Sequence, residues 1–253
     1  MPAGHLLGGP RVRAWRAQVG AELRLTARRG DSVLLNLAIP VGLLVFFSVV
    51  DVLPKPAGVR HPVQFLTPGV MALAVMSTAM VSLGIATGFE RQYGVLKRLG
   101  ATPLGRGRLL TAKIASIAVV EIAQVAVLVG IGLALGWSPG GPVGLALPAI
   151  LLATVAFAGL GLLMAGSLRA EVTLAAANGL YLLLLLLGGM IFPLSKLPTP
   201  LRDVARVLPA GALSDALHGA LTAGSGVPLR AWIVLAVWAL GAPVLAARLF
   251  RWE

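Results

Sequence analysis

The sequence predicts an all-α integral membrane protein with six transmembrane helices. Of its 253 residues, 58% are hydrophobic and only 12% are charged, whereas a soluble domain carries about 25% charged residues. The apolar residues also gather into long runs, most of them near or above the ~18 residues that mark a candidate transmembrane helix. Because a helix is the only open-chain structure that satisfies its own backbone within lipid, each run is expected to be helical.

Six apolar runs are candidate spans, and the whole chain, residues 1–253, is expected to form one transmembrane domain. The spans cover residues 33–53, 68–89, 109–136, 143–168, 172–192 and 229–249. With the N-terminus placed in the cytoplasm, 15 of the 21 Lys and Arg residues fall in cytoplasmic segments and 6 fall outside. Because basic residues are enriched in cytoplasmic loops, this asymmetry predicts six crossings with both termini in the cytoplasm.

The net charge of +12 has two interpretations. In a soluble protein it would indicate nucleic acid as the partner. Here the aromatic residues lie mostly in the apolar runs, and neither a zinc-finger nor an RNA-recognition pattern occurs, so we expect no nucleic-acid partner. The excess of basic residues is better explained by membrane topology.

The first 30 residues contain an apolar stripe within a basic segment. Val12, Trp15, Val19 and Leu23 fall on one face of a helix. A Trp-bearing apolar face with basic residues around it predicts an amphipathic helix lying on the inner leaflet. The alternative is a disordered basic tail.

Residues 194–228, between the fifth and sixth spans, are moderately apolar but broken by proline and glycine. Leu201, Val204 and Leu208 share one helical face, and Leu213, Leu217 and Leu221 share another. This pattern predicts a re-entrant pair of short exterior helices, beside or partly inside the outer leaflet. The alternative is a plain extracellular loop.

The stretch of residues 88–113 between spans two and three is unusually basic, with six Lys or Arg residues around Glu90. A cytoplasmic loop is expected to be basic for topological reasons alone. Val95, Leu96 and Leu99 recur at helical spacing, so residues 93–100 are expected to form a short amphipathic helix that Gly100 and Pro103 end. A solvated basic loop is the alternative.

This stretch also carries a family resemblance. It reads Glu90-Arg91-Gln92-Tyr93-Gly94-Val95-Leu96-Lys97-Arg98-Leu99, followed by Thr102-Pro103-Leu104. The pattern resembles the cytoplasmic loop of ABC-2 type transporter permeases, nearest to the drug-resistance exporters, where an acid and a basic residue precede a Gly-Thr-Leu-Lys-Arg-Leu-like run and Thr-Pro-Leu. Two departures are Gln92, where an acid is common, and Val95, where Thr is common.

The resemblance implies that residues 90–108 form a coupling loop that docks on a separate ATPase subunit, present in two copies. It further implies a second permease subunit, identical or related, and export of an amphipathic drug-like or lipid-like substrate, as in antibiotic resistance. The expected coupling residues are Glu90, Arg91, Tyr93, Gly94, Leu96, Lys97, Arg98 and Leu99. Abundant Ala, Gly, Arg and Leu with few Lys indicate a bacterial source, and hence a bacterial inner membrane.

The sequence contains none of the common motifs for nucleotide binding, metal binding or nucleophilic catalysis that we considered. No Lys follows a Gly, so the P-loop is absent and ATP with its Mg must be bound by the partner. The chain has no cysteine, and neither a His-Glu-x-x-His nor a Gly-x-Ser-x-Gly pattern occurs. His5, His61 and His218 lie outside the predicted spans. We therefore expect a transport subunit rather than an enzyme, with no catalytic residue, metal or cofactor of its own.

Polar residues inside the predicted spans form a second candidate site, for substrate or for gating. They are Glu121, Gln124, Asn178, Ser77 and Thr78. An acid near mid-bilayer such as Glu121 costs about 2.5–3.5 kcal/mol to insert, so it normally faces the protein interior. Interhelical hydrogen bonding without a substrate is an equal alternative.

Two other classes of protein stay open at this point. One is a secondary transporter or channel without an ATPase, in which Glu121 would bind a proton, although the predicted spans offer no other mid-span acid for a relay. The other is a membrane-anchored assembly or sensor protein, which would show no flux.

Overall fold

The computed structural model describes residues 10–28, 30–50, 61–100 and 105–251, and within these ranges the chain is helical with no strands. Eleven α-helices are labelled in chain order. They are α1 (Pro10–Arg28), α2 (Gly30–Val49), α3 (Pro62–Met76), α4 (Leu83–Gln92), α5 (Val95–Gly100), α6 (Arg106–Ala134), α7 (Ala146–Ser167), α8 (Ala170–Leu187), α9 (Thr199–Ala205), α10 (Pro209–Leu221) and α11 (Leu229–Leu249). The all-α prediction is therefore confirmed.

Five helices in the described part of the chain are long and apolar enough to cross a membrane. They cover Pro62–Gln92, Gly107–Ala134, Val143–Ser167, Ala170–Leu187 and Leu229–Leu249. The predicted first span, residues 33–53, falls on α2, which is helical over Gly30–Val49 and whose described apolar segment is Asn36–Val49. The sixth crossing therefore stays a prediction. Part of that predicted span, residues 51–53, lies outside the described residues.

The second predicted span is one continuous helix that is longer than its apolar run. It begins at Pro62, passes from α3 through a π-helical segment, Ser77–Ser82, and continues as α4 to Gln92. Its 31 residues extend about 46 Å, so it projects well beyond a 30 Å core. Its C-terminal end, which carries Glu90, Arg91 and Gln92 beyond the apolar run, is called the projecting end here.

The core lies where α3, α7, α10 and α11 pack together. Close approach depends on residues without a side chain: a Cβ on Gly69 of α3 would lie 1.8 Å from the Met190 carbonyl oxygen, and one on Gly161 of α7 would lie 2.6 Å from the Met80 carbonyl oxygen. At these points α3 meets the backbone of the segment that follows α8, and α7 meets the backbone of the π-helical segment, which is the close packing that small residues permit in membranes.

Two short helices occupy the exterior segment, in different environments. Leu213, Leu217 and Leu221 of α10 are buried in the core, whereas Leu201 and Val204 of α9 are about half exposed. His218 joins α10 to α3, since its two ring nitrogens lie 2.7 Å from the Ser214 carbonyl oxygen and 3.0 Å from that of Phe65. The helix α10 is thus packed among α3, α7 and α11 rather than against lipid.

Candidate functional site

The short helix α5 follows directly from the projecting end of the second span. Tyr93 ends α4, and Gly94 turns the chain with φ of +70°, a conformation that L side chains rarely adopt. The amide of Gly94 donates to the Arg91 carbonyl at 3.0 Å, and the amide of Arg98 donates to the Gly94 carbonyl at 3.3 Å. Helix α5 is therefore attached to α4 through one tight turn rather than a loose loop.

The two faces of this segment differ in exposure. Tyr93 is 71% exposed, and Lys97 and Arg98 are exposed as well. Leu96 is fully buried and packs with Leu109 and Phe250, with Trp15, Leu99 and Leu110 around them. Within the apolar stripe predicted for residues 93–100, Leu96 and Leu99 therefore face the protein itself, whereas Val95 is 39% exposed.

A buried ion triad joins three helices beneath α5. The Nζ of Lys113 on α6 lies 2.6 Å from Glu90 Oε2 on α4 and 3.0 Å from Glu22 Oε2 on α1. The amide of Gln18 also donates to Glu22 Oε1 at 3.0 Å. Since the Lys113 side chain is only 2% exposed, the charge is compensated inside the protein, as buried charges require.

Arg91 and Gln92 bond to the turn between α7 and α8. The Arg91 guanidinium donates to the carbonyl of Gly166 at 2.5 Å and to that of Leu168. The Gln92 amide donates to Glu171 Oε1 at 2.9 Å. These two consecutive residues therefore connect α4 to the end of one helix and the beginning of the next.

A polar network surrounds the π-helical segment. Asn36 Nδ2 donates to Ser82 Oγ at 2.7 Å, and Gln124 Nε2 donates to the Asn36 carbonyl at 2.5 Å. Thr78 Oγ1 donates to Gln124 Oε1 at 3.0 Å. The network links α2, the π-helical segment and α6, and a π-helical turn is a frequent feature of functional positions.

Glu121 faces a different neighbour. It is fully buried, and one carboxyl oxygen bonds to Thr154 Oγ1 on α7. Its other oxygen has no hydrogen-bond partner among the residues described. The hydroxyl of Thr154 also contacts the Ile150 carbonyl at 2.8 Å. Glu121 and Gln124 share a helix, but they bond to different helices.

A cavity of about 900 Å³ lies between α1, α2, the second span and α6. The triad residues Glu22, Glu90 and Lys113 line one part of it, and Asn36, Thr78 and Gln124 line another. Most of the remaining lining is aliphatic. Its volume falls within the range of about 300–1,000 Å³ that is typical of ligand pockets.

The structure brings together only some of the residues expected at the two sites. Thr78 and Gln124 meet directly, and Ser77 starts the same π-helical segment. Asn178 is exposed on α8, where it bonds to the Leu174 carbonyl of its own helix.

Sequence reasoning missed four residues of these networks: Glu22, Asn36, Lys113 and Thr154. Asn36 lies within an apolar run, where a lone polar residue indicates an interior partner. Within the residues described, no group of three or more His, Asp or Glu side chains is arranged to hold a metal.

The chain is similar in sequence to known transport proteins. A family model described as ABC-2 type transporter matches residues 13–221, which is most of the chain. A curated protein of Bacillus subtilis (strain 168), named "Putative transport permease YvfS", is 26% identical over 195 residues. That alignment covers 75% of this chain and 78% of the relative.

Proposed function

The chain belongs to the ABC-2 type transporter family, and we propose that it is the membrane subunit of an exporter whose ATPase is a separate polypeptide. The observation that carries this proposal is the stiffly attached helix α5 at the projecting end of the second span. A helix that is fixed to a span and exposed on its outer face is suited to receive a push from another protein. ATP and its Mg would be bound by that partner, since this chain has no P-loop.

The docking surface that we propose is the exposed side of this segment. It consists of Tyr93, Lys97 and Arg98, with Val95 at its edge. Tyr93 supplies the aromatic anchor, a residue type enriched where binding energy is concentrated. The two basic residues supply charge complementarity, which sets register and association rate and which a charge reversal would turn into repulsion. Leu96 and Leu99 lie on the opposite, buried side of α5 and hold it against α6.

The complete transporter that we propose contains two copies of the ATPase and a second permease subunit, identical or related. It lies in a bacterial inner membrane with both termini in the cytoplasm, as the asymmetry of basic residues predicts. ATP binding must favour one of two packings of the spans, so the docking surface must make different contacts in each.

The cargo that we propose is an amphipathic drug-like or lipid-like molecule moved out of the cytoplasm. The largely aliphatic cavity between α1 and the spans supports this class, because it offers apolar surface for a hydrophobic body and polar groups for a head. Gln124 and Thr78 are the polar groups deepest along the spans that line it. Resistance to an antibiotic would follow where the cargo is a drug.

Copurification and flux test this proposal. The tagged chain is co-expressed with a P-loop ATPase encoded beside its gene, and the pair is placed in vesicles with an amphipathic dye. We expect capture of the ATPase and dye movement only with ATP. A chain that captures no ATPase and moves the dye without ATP would instead be a secondary transporter or channel, and absence of any flux would favour an assembly or sensor role.

Charge reversal within the docking surface provides the matched comparison. Lys97→Glu is expected to weaken ATPase capture about tenfold, which corresponds to ~1.4 kcal/mol. Lys196→Glu changes an equally exposed lysine in the exterior segment and is expected to leave capture unchanged. Equal capture by both variants would contradict the assigned surface.

A further inference from the structure

We propose that Arg91 is a positioning residue that couples the movement of α5 to helices α7 and α8, rather than a residue that contacts the ATPase. This inference rests on the proposed function, because it presumes that a partner pushes α5. It assigns the path of the movement inside the chain: from the projecting end of the second span, across to the turn between α7 and α8.

The bonds made by Arg91 are directed entirely into the protein. One guanidinium donates from its two terminal nitrogens to two carbonyls, those of Gly166 and Leu168. The last carbonyls of a helix have no partner within the helix, and a cation is favoured there by the helix dipole. Because the guanidinium is planar and donates to two carbonyls at once, it fixes the orientation of α4 relative to the end of α7 as well as the distance between them. A lysine ammonium cannot reproduce this geometry.

The next residue extends this connection to α8. Gln92 bonds to Glu171 in the first turn of α8. The turn between α7 and α8 is itself held closed, because the hydroxyl of Thr173 on α8 donates to the Met164 carbonyl on α7 at 3.3 Å. Displacement of the end of α7 must therefore carry the start of α8 with it.

A second contact brings α5 to the same point. Leu96 packs on Phe250, and Phe250 lies so close to Gly166 that a Cβ there would be 2.4 Å from its ring. The amide of Arg251 also donates to the Gly166 carbonyl at 3.0 Å. Gly166 thus receives Arg91 from the second span and Phe250 from beneath α5. This is a contiguous packed and hydrogen-bonded connection of the kind that can carry coupling.

Movement at the end of α7 would affect several other helices, because α7 contacts each of them directly. Helix α7 makes backbone contact with the second span at Gly161 and with α11 at Gly159, where an added Cβ would lie 2.6 Å from Pro243. It also carries Thr154, the partner of Glu121. A shift of α7 along its axis would therefore change the packing of three other spans. If the second and third spans tilted while α7 stayed in place, their contacts with α7 would break.

The test compares Arg91→Gln and Arg91→Lys with the wild-type chain in complex with its ATPase, in vesicles. A single cysteine at the exposed Ser167, in a chain that otherwise has none, carries a fluorophore that reports movement at the end of α7 when ATP is added. We expect Arg91→Gln to capture the ATPase and hydrolyse ATP as the wild type does. Its dye transport should fall about tenfold, within the usual range of coupling between sites, and its fluorophore response should be lost.

Arg91→Lys keeps the charge but loses the planar, two-donor geometry, so it should show the same pattern with a smaller loss. If Arg91→Gln does not fold, the same measurements on Arg91→Lys test the inference. The inference is overturned if an Arg91 variant transports normally with an unchanged fluorophore response, or if its loss of transport arises from failure to capture the ATPase. Failure of the wild-type chain to capture an ATPase would instead overturn the proposed function, and this is observed before any variant is compared.

Discussion

Removing the lysine of the buried triad should destabilise the protein markedly. Lys113→Met keeps a long apolar stem but leaves the carboxylates of Glu22 and Glu90 facing one another without the cation between them. The lysine side chain is 2% exposed, and the two carboxylates are 9% and 13% exposed. Solvent can therefore do little to compensate for the loss.

The magnitude follows from this burial. Breaking a buried ion pair by deleting one partner typically costs about 3–5 kcal/mol. Because both carboxylates keep slight exposure, we expect the lower end, about 3 kcal/mol of unfolding free energy. For a chain of this size, that loss corresponds to a fall of about 6–12 °C in the unfolding midpoint.

The measurement is thermal unfolding of the purified chain in detergent, followed by tryptophan fluorescence. Lys196→Met removes an exposed lysine and serves as the matched control, with an expected change near zero. Combining Lys113→Met with Glu22→Gln removes one of the uncompensated charges and should recover part of the loss. A Lys113→Met midpoint within about 2 °C of the wild type would refute the argument that the triad is desolvated.

Two further predictions use matched pairs of variants in the same unfolding assay. Gly69→Ala places a Cβ 1.8 Å from the Met190 carbonyl oxygen and should cost about 1–3 kcal/mol or more through overpacking. Gly130→Ala, where nothing lies within 4 Å, should be neutral or slightly stabilising, and equal effects would contradict the close packing of α3. Arg202 donates to the carbonyls of Leu194, Ser195 and Leu197, so Arg202→Ala should destabilise the exterior segment by about 1–3 kcal/mol and expose it to protease. Arg206 makes an exposed ion pair with Asp203 at 3.8 Å, so Arg206→Ala should change stability by less than about 1 kcal/mol. Identical cleavage of the two arginine variants would contradict the role of Arg202.

Hydropathy predicted the helices that cross the membrane better than it predicted their ends. The last run, residues 229–249, coincides with α11. The second run, residues 68–89, falls inside a helix that begins at Pro62 and ends at Gln92. Hydropathy detects contact with lipid, whereas the helix continues for as long as packing and turn residues permit.

At the candidate sites, too, the sequence predicted which elements form but not which residues they contact. The spacing of Val95, Leu96 and Leu99 predicted a short amphipathic helix after the second span, and α5 lies there. The same spacing cannot specify what its apolar side meets, and Leu96 packs on Leu109 and Phe250 of its own chain. The motif predicts that Arg91 acts at the ATPase, which stays a prediction; the structure adds bonds from Arg91 to carbonyls 75 and 77 residues away, a separation that no local pattern encodes.

The sequence by itself determined that this chain is a helical membrane protein of a transport family, and that it carries no P-loop pattern. These properties follow from composition, apolar run length and a local motif, each of which is written along the chain. The tertiary structure alone decided which charges are neutralised internally, which side of α5 stays exposed and which helices α4 holds. Those outcomes depend on contacts between distant residues, where burial makes an unpaired charge or carbonyl costly and so selects one arrangement of partners.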